Sequence, residues 1–280
     1  ILVHANRAKI TRFPRDDPEN CLYSKDVADL ARELGLYSGA DEDFNFQAAY
    51  DTQLPFEIRF DDTRVFDVYS RFSPDPAFYN TYLDNALGHD LNNIMPIWIL
   101  PKHKLSLNEV RERLSSHFEG SSLEFGSHVN GGIFATPYIP SPIVWKYKNS
   151  TYVHERPIAV ERNGLSFISV IRGWMPPPLQ AIVWVAVDDG STSPRYPVYS
   201  CSTAGSKSYI GKGSQDGVVT PILKFDKAKA FWIQNLVANF VYSRWNVAYP
   251  VLKSKIDELH EKFSLEIKKM DEDALKAFHN

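Results

Sequence analysis

Cysteine is scarce in this chain of 280 residues, which contains only Cys21 and Cys201. Two cysteines cannot build a disulfide framework, so cysteine usage leaves the redox compartment open. The eight histidines are scattered, and none has the His-x-x-x-His spacing that places two metal ligands on one element. The sequence therefore predicts no metal site and calls for no cofactor.

An excess of one charge sign is also missing, because 31 basic residues face 34 acidic ones and the formal net charge is −3. Without a basic stripe, nucleic acid is not an expected partner. No apolar run reaches the roughly 20 residues that span a bilayer, so no membrane partner is expected. Ile1-Leu2-Val3 is followed at once by His4, which excludes a signal h-region here. We expect a processed or truncated start at Ile1, and the compartment stays open between cytoplasmic and exported with a leader not present here.

Three signatures of known chemistry are lacking. Gly211-Lys212-Gly213-Ser214 does not match a P-loop, so Ser202 to Val218 is predicted to be a mobile loop rather than a nucleotide site. No Gly-x-Ser-x-Gly elbow announces a serine nucleophile. Neighbouring acids point to opposite faces of a strand, so turn or capping duty is favoured for Asp16-Asp17, Asp61-Asp62 and Asp188-Asp189 over a glycosidase pair.

The composition, 44% hydrophobic and 13% aromatic, is sufficient for a large core in one big domain or two modest ones. Periodicity and breakers predict a mixed, α+β arrangement with its sheet in the second half. The predicted strands are 1–4, 65–72, 152–161, the runs that start at Phe167 and Ala181, and 196–202. The predicted helices run from Ser24 to Gly35, from the Ser106 capping box to about Phe118, from Asp226 to Trp245, and onward from Pro250. Residues 120–142 are predicted to be irregular, and the charges Lys268, Lys269, Asp271 and Glu272 to form a solvated surface.

Arg172 is the first candidate for a site, because it lies between two apolar runs separated by Met175-Pro176-Pro177-Pro178. A guanidinium stays charged at any ordinary pH, so within packed strands it needs a carboxylate, a rim of carbonyls or an anionic ligand. The residues alone leave open a structural ion pair or a ligand-binding role.

Six blocks, in this order and spacing, carry a resemblance to a known family: HANRAKITRFPRDDPENCLYSKDV, GADEDFNFQAAY, MPIWILPKHKLS, HFEG, IRGWMPPPLQAIVWVAVDDGSTS and FDKAKAFWIQNLVANFVYSRW. Together they cover nearly the whole chain. The sequence resembles the bacterial cysteine-nucleophile dipeptidases of the Ntn-hydrolase superfamily, distant relatives of penicillin V and bile-salt acylases.

The resemblance implies a four-layer αββα sandwich, of which this chain is the C-terminal portion, as a single catalytic domain over residues 1–280. It also implies hydrolysis of dipeptides by an N-terminal cysteine whose own α-amino group accepts the thiol proton. That cysteine is expected in an upstream segment of the same protein, because neither Cys21 nor Cys201 has a free amine beside its thiol. Both are expected to be structural thiols.

The resemblance further assigns roles to individual residues. Asn6 resembles a strand-borne asparagine that supports the oxyanion site, and Arg172 resembles an arginine that favours the thiolate. Trp174 and Asp188 are assigned to substrate binding, with pocket shaping or core packing as the competing interpretation. An N-acyl or bile-salt-type amidohydrolase and a non-catalytic peptide-binding protein remain alternatives, and self-association is left open.

Overall fold

The computed structural model describes residues 1–51, 54–139, 143–211 and 222–279. Helices and strands occur together in these ranges, so the expected α+β class is confirmed. The helices are α1 Val27–Glu33, α2 Phe46–Tyr50, α3 Pro55–Phe72, α4 Phe78–Ala86, α5 Leu107–Leu114, α6 Ala230–Tyr242 and α7 Trp245–His279. The strands are β1 Val144–Tyr147, β2 Ser150–Val153, β3 Leu165–Ile171, β4 Ala181–Val187 and β5 Tyr196–Tyr199. Short 3-10 turns occupy Asp41–Asp43, Phe125–Ser127, Val129–Phe134 and Pro177–Leu179.

The chain divides into two compact units. Unit 1 comprises Ile1–Leu105 and Pro142–Arg156, and unit 2 comprises Ser106–Ser141 and Pro157–Asn280. The single catalytic domain expected over 1–280 stays a prediction. No helix in the described ranges combines the length and the apolar character needed to cross a bilayer.

Unit 1 is built around α3, and here the predicted strand at 65–72 is wrong. Val65, Phe66, Tyr69 and Phe72 are buried along α3, at the i, i+1, i+4 and i+7 positions of one helical face. The run is rich in β-branched and aromatic residues, which strands favour, but its adjacent apolar pairs Val65-Phe66 and Val68-Tyr69 do not alternate as a half-buried strand would. Pro55 at the start of α3 favours the helix, since a proline there loses no intrahelical bond.

The N-terminal segment of unit 1 is extended but is not a strand, contrary to prediction. The Ile1 amino group donates to the Ile99 carbonyl (2.6 Å), and the Ile99 N–H donates back to Ile1 (2.9 Å). No ladder continues from this pair. The predicted strand at 152–161 is likewise shortened to β2, which pairs with β1 in a hairpin.

Helix α1 begins two residues later than a Ser24 cap would place it. Asp26 is the N-cap residue, and Ser24 contributes only its backbone carbonyl, which accepts from Val27 N–H (3.0 Å). Gly35 does end the helix as predicted, because its φ of +69° lies in the left-handed region that glycine adopts without strain.

Unit 2 contains the antiparallel sheet β3-β4-β5, so the runs at Phe167 and Ala181 are confirmed as strands. The strand predicted over 196–202 is also present but is shortened to β5. Ile182 and Trp184 alternate inward from β4, and Phe263 and Ile267 of α7 pack against this inner face. Phe263 and Ile267 are therefore the contact of α7 with the sheet. On the opposite face, Phe167 of β3 is 59% exposed, and Leu165 and Ile171 are also exposed.

The helices of unit 2 differ from prediction at their ends. The Ser106 capping box is confirmed, but α5 ends at Leu114 rather than near Phe118, and Phe118 has a φ of +69° that a helix cannot accommodate. Helix α6 begins after Lys229 rather than Asp226, whose carboxylate instead accepts from Ala228 N–H (2.8 Å). Helix α7 begins before Pro250 and contains it. Of the two predicted loops, residues 140–142 and 212–218 lie outside the described residues.

Candidate functional site

Asn6 lies in unit 1, on an extended segment rather than a strand, with a φ of +61°. Asparagine tolerates this left-handed conformation better than most residues. Its side-chain oxygen accepts a hydrogen bond from Arg64 Nη1 (2.9 Å). That contact uses the amide oxygen and not the N–H donors that an oxyanion site requires. The oxyanion role of Asn6 stays a prediction.

Arg172 lies in unit 2, directly after β3, and forms a buried ion pair with Asp271 of α7. Its Nη1 donates to Asp271 Oδ2 and its Nη2 donates to Asp271 Oδ1 (3.1 Å) and to the Leu179 carbonyl. This two-pronged contact is the geometry in which arginine binds carboxylates most strongly. The charged run around Asp271 was predicted to form a solvated surface. For Asp271 this prediction is wrong, because its carboxylate is paired with Arg172.

Tyr199 of β5 completes this group, which we call the Arg172 cluster: Arg172, Asp271 and Tyr199. The Tyr199 hydroxyl donates to Asp271 Oδ1 (2.7 Å). Burial and this bond to a carboxylate raise the pKa of Tyr199 to about 12. Burial opposes the charge of Arg172, but the bond to Asp271 outweighs it and raises the Arg172 pKa. Of the two roles that the sequence left open for Arg172, the structural ion pair is present in this cluster. The role of Arg172 in favouring a thiolate stays a prediction.

Trp174 follows Arg172 in the turn before β4, and its side chain is 79% exposed. Trp174 therefore does not pack in the core of unit 2, and core packing in the whole protein stays a prediction. An exposed indole at a strand end has the surface that a ligand contact uses, and the substrate-binding role stays a prediction.

Asp188 directly follows β4 and is almost completely buried, with a φ of +66°. Its Oδ1 accepts from Asn235 Nδ2 (3.1 Å), whereas its buried Oδ2 has no hydrogen-bond partner among the described residues. Burial raises the pKa of Asp188. An under-coordinated buried carboxylate is costly, so a functional or strained position is indicated, and substrate binding stays a prediction for it.

Asp189 takes the structural role that was favoured for the acidic pairs. Its Oδ2 accepts from the hydroxyls of Ser191 (2.6 Å) and Thr192 (2.9 Å) and from Thr192 N–H (3.2 Å). These bonds fix the turn that leads from β4 toward β5.

Comparison with known proteins now adds to this geometry. The model of the family described as Peptidase family C69 matches residues 1–258. This chain belongs to Peptidase family C69. The family-level resemblance inferred from the six sequence blocks is thereby confirmed.

Two curated proteins are similar to this family C69 chain. A "Probable dipeptidase" from Salmonella dublin is 25% identical over 198 residues, which cover 70% of this chain and 39% of that protein. "Dipeptidase A" from Lactobacillus helveticus is 22% identical over 247 residues, or 88% of this chain and 44% of that protein. The chain thus matches about two fifths of the length of these relatives.

Sequence reasoning missed a linked group in the HFEG block of this C69 chain. His117 Nδ1 lies 3.0 Å from Glu119 Oε1, and His117 Nε2 lies 3.1 Å from the Tyr242 hydroxyl. Burial opposes ionisation of Glu119, but its bond with His117 prevails and lowers the Glu119 pKa to about 2. The group connects the turn after α5 with the end of α6. His117 and Tyr242 are 125 positions apart in the sequence, so no local spacing could have indicated their contact.

Sequence reasoning also missed a cavity of about 690 Å³ in unit 2, lined among others by Arg111, Arg195 and His260. These residues come from α5, from the segment before β5 and from α7. None belongs to a recognisable motif, and only the tertiary fold places them together. No group of three or more His, Cys, Asp or Glu side chains in the described ranges is arranged to hold a metal ion.

Proposed function

We propose that the whole protein is a cysteine-type dipeptidase that hydrolyses short peptides. The match of the family model to residues 1–258 carries this proposal, and the dipeptidase names of the two relatives support dipeptides as the substrate class.

The reaction that we propose begins with attack of a cysteine thiolate on the peptide carbonyl, with the cysteine's own α-amino group as the base. We place this cysteine in another segment of the protein, because neither Cys21 nor Cys201 has an α-amino group beside its thiol. An unperturbed terminal amine, with a pKa near 8, suits a base working near neutral pH. Asn6 would donate to the oxyanion, and Arg172 would favour the thiolate by its fixed charge.

We further propose that the β3-β4-β5 sheet belongs to a four-layer αββα sandwich. Such a sheet is covered by helices on one face and by a second sheet on the other. Its inner face already packs against α7. Its outer face presents Leu165, Phe167 and Ile171, an apolar set that supports packing against another sheet.

The function is tested by incubating the whole protein with leucylglycine and with its N-acetyl derivative. We expect the free dipeptide to be hydrolysed at least about tenfold faster, since a dipeptidase site accommodates the free α-amino group. Equal or faster hydrolysis of the N-acetyl derivative would show an acyl amidohydrolase instead. Binding of the dipeptide without hydrolysis would show a non-catalytic peptide-binding protein.

The position of the nucleophile has a separate test. The double variant Cys21→Ser, Cys201→Ser is expected to keep its activity and to remain sensitive to iodoacetamide, because the reactive thiol lies elsewhere. Loss of activity in either single serine variant, with folding intact, would contradict this placement.

A further inference from the structure

The lining of the unit 2 cavity includes two buried arginines with no close carboxylate among the described residues. Arg111 of α5 is 4% exposed and Arg195 is 1% exposed. Within the described ranges, neither guanidinium has a carboxylate oxygen within 4.0 Å. Buried arginines are almost always paired, so the missing negative charge is the feature that needs an explanation.

Arg111 has an unused binding edge. Its Nη1 donates to Asn108 Oδ1 (2.8 Å), and its guanidinium lies over the Trp184 ring at 4.2 Å from the centroid. Its Nε and Nη2 are buried and have no hydrogen-bond acceptor among the residues that the structure describes. These two nitrogens form one edge of the guanidinium, the fork that matches the two oxygens of a carboxylate.

The hydrogen bonds of the Arg195 guanidinium within the described ranges all go to uncharged groups. Its guanidinium donates to Ser166 Oγ (2.9 and 3.3 Å), to the Gly190 carbonyl (3.2 Å) and to Ser115 Oγ (3.4 Å). Burial lowers the pKa of Arg195 to about 10 and, together with the charge of Arg195, lowers that of Arg111 to about 10. Both remain charged at neutral pH, and an anion in the cavity would offset the cost of burying them.

His260 adds a donor and no charge. Its Nε2 accepts from the Arg195 N–H (2.9 Å), so the proton of the neutral ring lies on Nδ1. Burial and the charges of the two arginines lower the His260 pKa to about 4. Ser193, also in the lining, has a buried hydroxyl with no hydrogen-bond partner in the described part of the chain.

The mouth of the cavity has the opposite charge. Exposed carboxylates surround it, against one half-buried Lys253, which is already paired with Asp257 at 2.6 Å. The exposed acids in the lining are Glu112, Asp257, Glu258 and Glu261. A multiply charged anion such as phosphate would meet repulsion at this rim, whereas a ligand with an ammonium group behind its carboxylate would be attracted at both ends.

We propose that this cavity binds the carboxylate of a zwitterion, an amino acid or short peptide, on the free edge of Arg111 beside Arg195, with the ligand's ammonium group toward the acidic rim. The choice of a peptide-derived ligand rests on the proposed function, while the anion site rests on the two arginines alone.

The experiment is isothermal titration of the whole protein at neutral pH with four probes: L-leucine, L-leucinamide, N-acetyl-L-leucine and inorganic phosphate. We expect leucine to bind most tightly. Leucinamide lacks the carboxylate and is expected not to bind, and N-acetyl-leucine lacks the ammonium group and is expected to bind more weakly. Equal affinity for leucinamide, tighter binding of phosphate, or no heat with any probe would overturn the proposal.

Variants locate the binding within the molecule. Arg111→Met keeps the packing on Trp184 but removes the donors, and Arg111→Lys keeps a charge but not the fork. Each is expected to weaken leucine binding about tenfold or more, since charged hydrogen bonds are lost. Arg244→Gln, an exposed arginine of the same unit, is the matched control and is expected to bind leucine unchanged. Wild-type affinity in both Arg111 variants would overturn the site.

No turnover is needed for this measurement, so the two proposals fail separately. A protein that binds leucine through Arg111 but hydrolyses no dipeptide contradicts the proposed function and leaves the site standing. A protein that hydrolyses dipeptides but binds leucine equally well without Arg111 contradicts the proposed binding site and leaves the proposed function standing.

Discussion

Arg172 combines a structural contact seen in the fold with a catalytic role that is still a prediction, and two substitutions separate them. Arg172→Lys retains a charge but loses the fork, whereas Asp271→Asn weakens the same ion pair and leaves the guanidinium intact. We expect Arg172→Lys to lower kcat/KM by about tenfold or more. Asp271→Asn is expected to lower the unfolding free energy by about as much as Arg172→Lys does. Unlike Arg172→Lys, it is expected to keep most of the activity.

The measurement is steady-state dipeptide hydrolysis by the whole protein, with urea unfolding of each variant. If the two variants lose activity in the same proportion to their loss of unfolding free energy, Arg172 acts only through its ion pair with Asp271. Unchanged turnover in Arg172→Lys would also remove it from the candidate site.

Asn6 allows a sharper comparison because its backbone has a positive φ. Asn6→Gly removes the amide donors without backbone strain, whereas Asn6→Ala removes them and adds about 1 kcal/mol of strain. If Asn6 donates to the oxyanion, both variants should lose about tenfold or more in kcat. Both also lose the bond from Arg64, and Asn6→Ala should be the less stable of the two because of its added strain. A loss of activity confined to Asn6→Ala would assign Asn6 a conformational role instead.

What the sequence could predict at these positions was the type of residue and not its partner. Arg172 was predicted to need a counter-charge, but Asp271 is 99 residues away in a run of surface-like charges. Arg111 lies in an amphipathic helix and gave no signal at all, because its importance comes from Arg195 and His260, which other elements bring to it. Partners at long sequence separation have no periodic or local trace.

His260 connects α7 to the segment before β5, and its lowered pKa makes this connection sensitive to acid. The folded-state pKa is about 4, below the unfolded value of about 6.5. The neutral ring is favoured by folding, so its contribution is complete above pH ~6.5 and is lost as the pH falls toward 4.

We expect His260→Gln, which can still accept from the Arg195 N–H through its side-chain oxygen, to lose this part of the pH dependence. Burial and the charges of Arg111 and Arg195 cause the shift, which corresponds to at most about 3 kcal/mol. Unfolding free energies of both proteins between pH 7 and 4 give the difference directly, and other acids cancel in it. Parallel curves for variant and wild type would contradict the expectation.

Capping offers a test of two serines that looked alike in the sequence. Ser106 Oγ accepts from Glu109 N–H (3.2 Å), and the Glu109 carboxylate accepts from Ser106 N–H (2.8 Å). Ser24 was predicted to cap α1, yet its exposed side chain is not the cap. We expect Ser106→Ala to destabilise by about 1 kcal/mol and Ser24→Ala by less than about 0.5 kcal/mol. Equal costs in thermal unfolding would mean that the capping box contributes little.

Elements were predictable where one periodicity dominated. β3 and β4 are both rich in β-branched and aromatic residues and lie on either side of a proline turn, a combination that favours strands. Residues 65–72 were predicted to be a strand although their adjacent apolar pairs, Val65-Phe66 and Val68-Tyr69, fit a period of 3.6 better than a period of 2. Pro55, ten positions upstream, also favours the helix. The ends of α5 and α6 were misplaced because positive φ at Phe118 and the Asp226 turn depend on tertiary contacts that the local sequence does not encode.

For the molecule as a whole, the proposed four-layer sandwich predicts opposite solvent exposure for two apolar side chains of unit 2 that are both exposed here. Phe167 lies on the outer face of the β3-β4-β5 sheet, and Leu265 lies on α7 with 63% of its side chain exposed. In an αββα sandwich the outer surfaces of the helices meet water, whereas the sheet faces meet each other. Phe167 should therefore be buried in the whole protein and Leu265 should not.

Glutamate at each position tests this arrangement. In the whole protein, Phe167→Glu should cost at least about 3 kcal/mol, because it removes a buried aromatic ring and buries a carboxylate without a partner. Leu265→Glu should change the unfolding free energy by less than about 0.5 kcal/mol, as at other solvated positions. Urea unfolding of the two variants gives both values. If Phe167→Glu is tolerated as well as Leu265→Glu, the outer face of the sheet meets solvent, and the four-layer sandwich is excluded because its second sheet would have nothing to pack against.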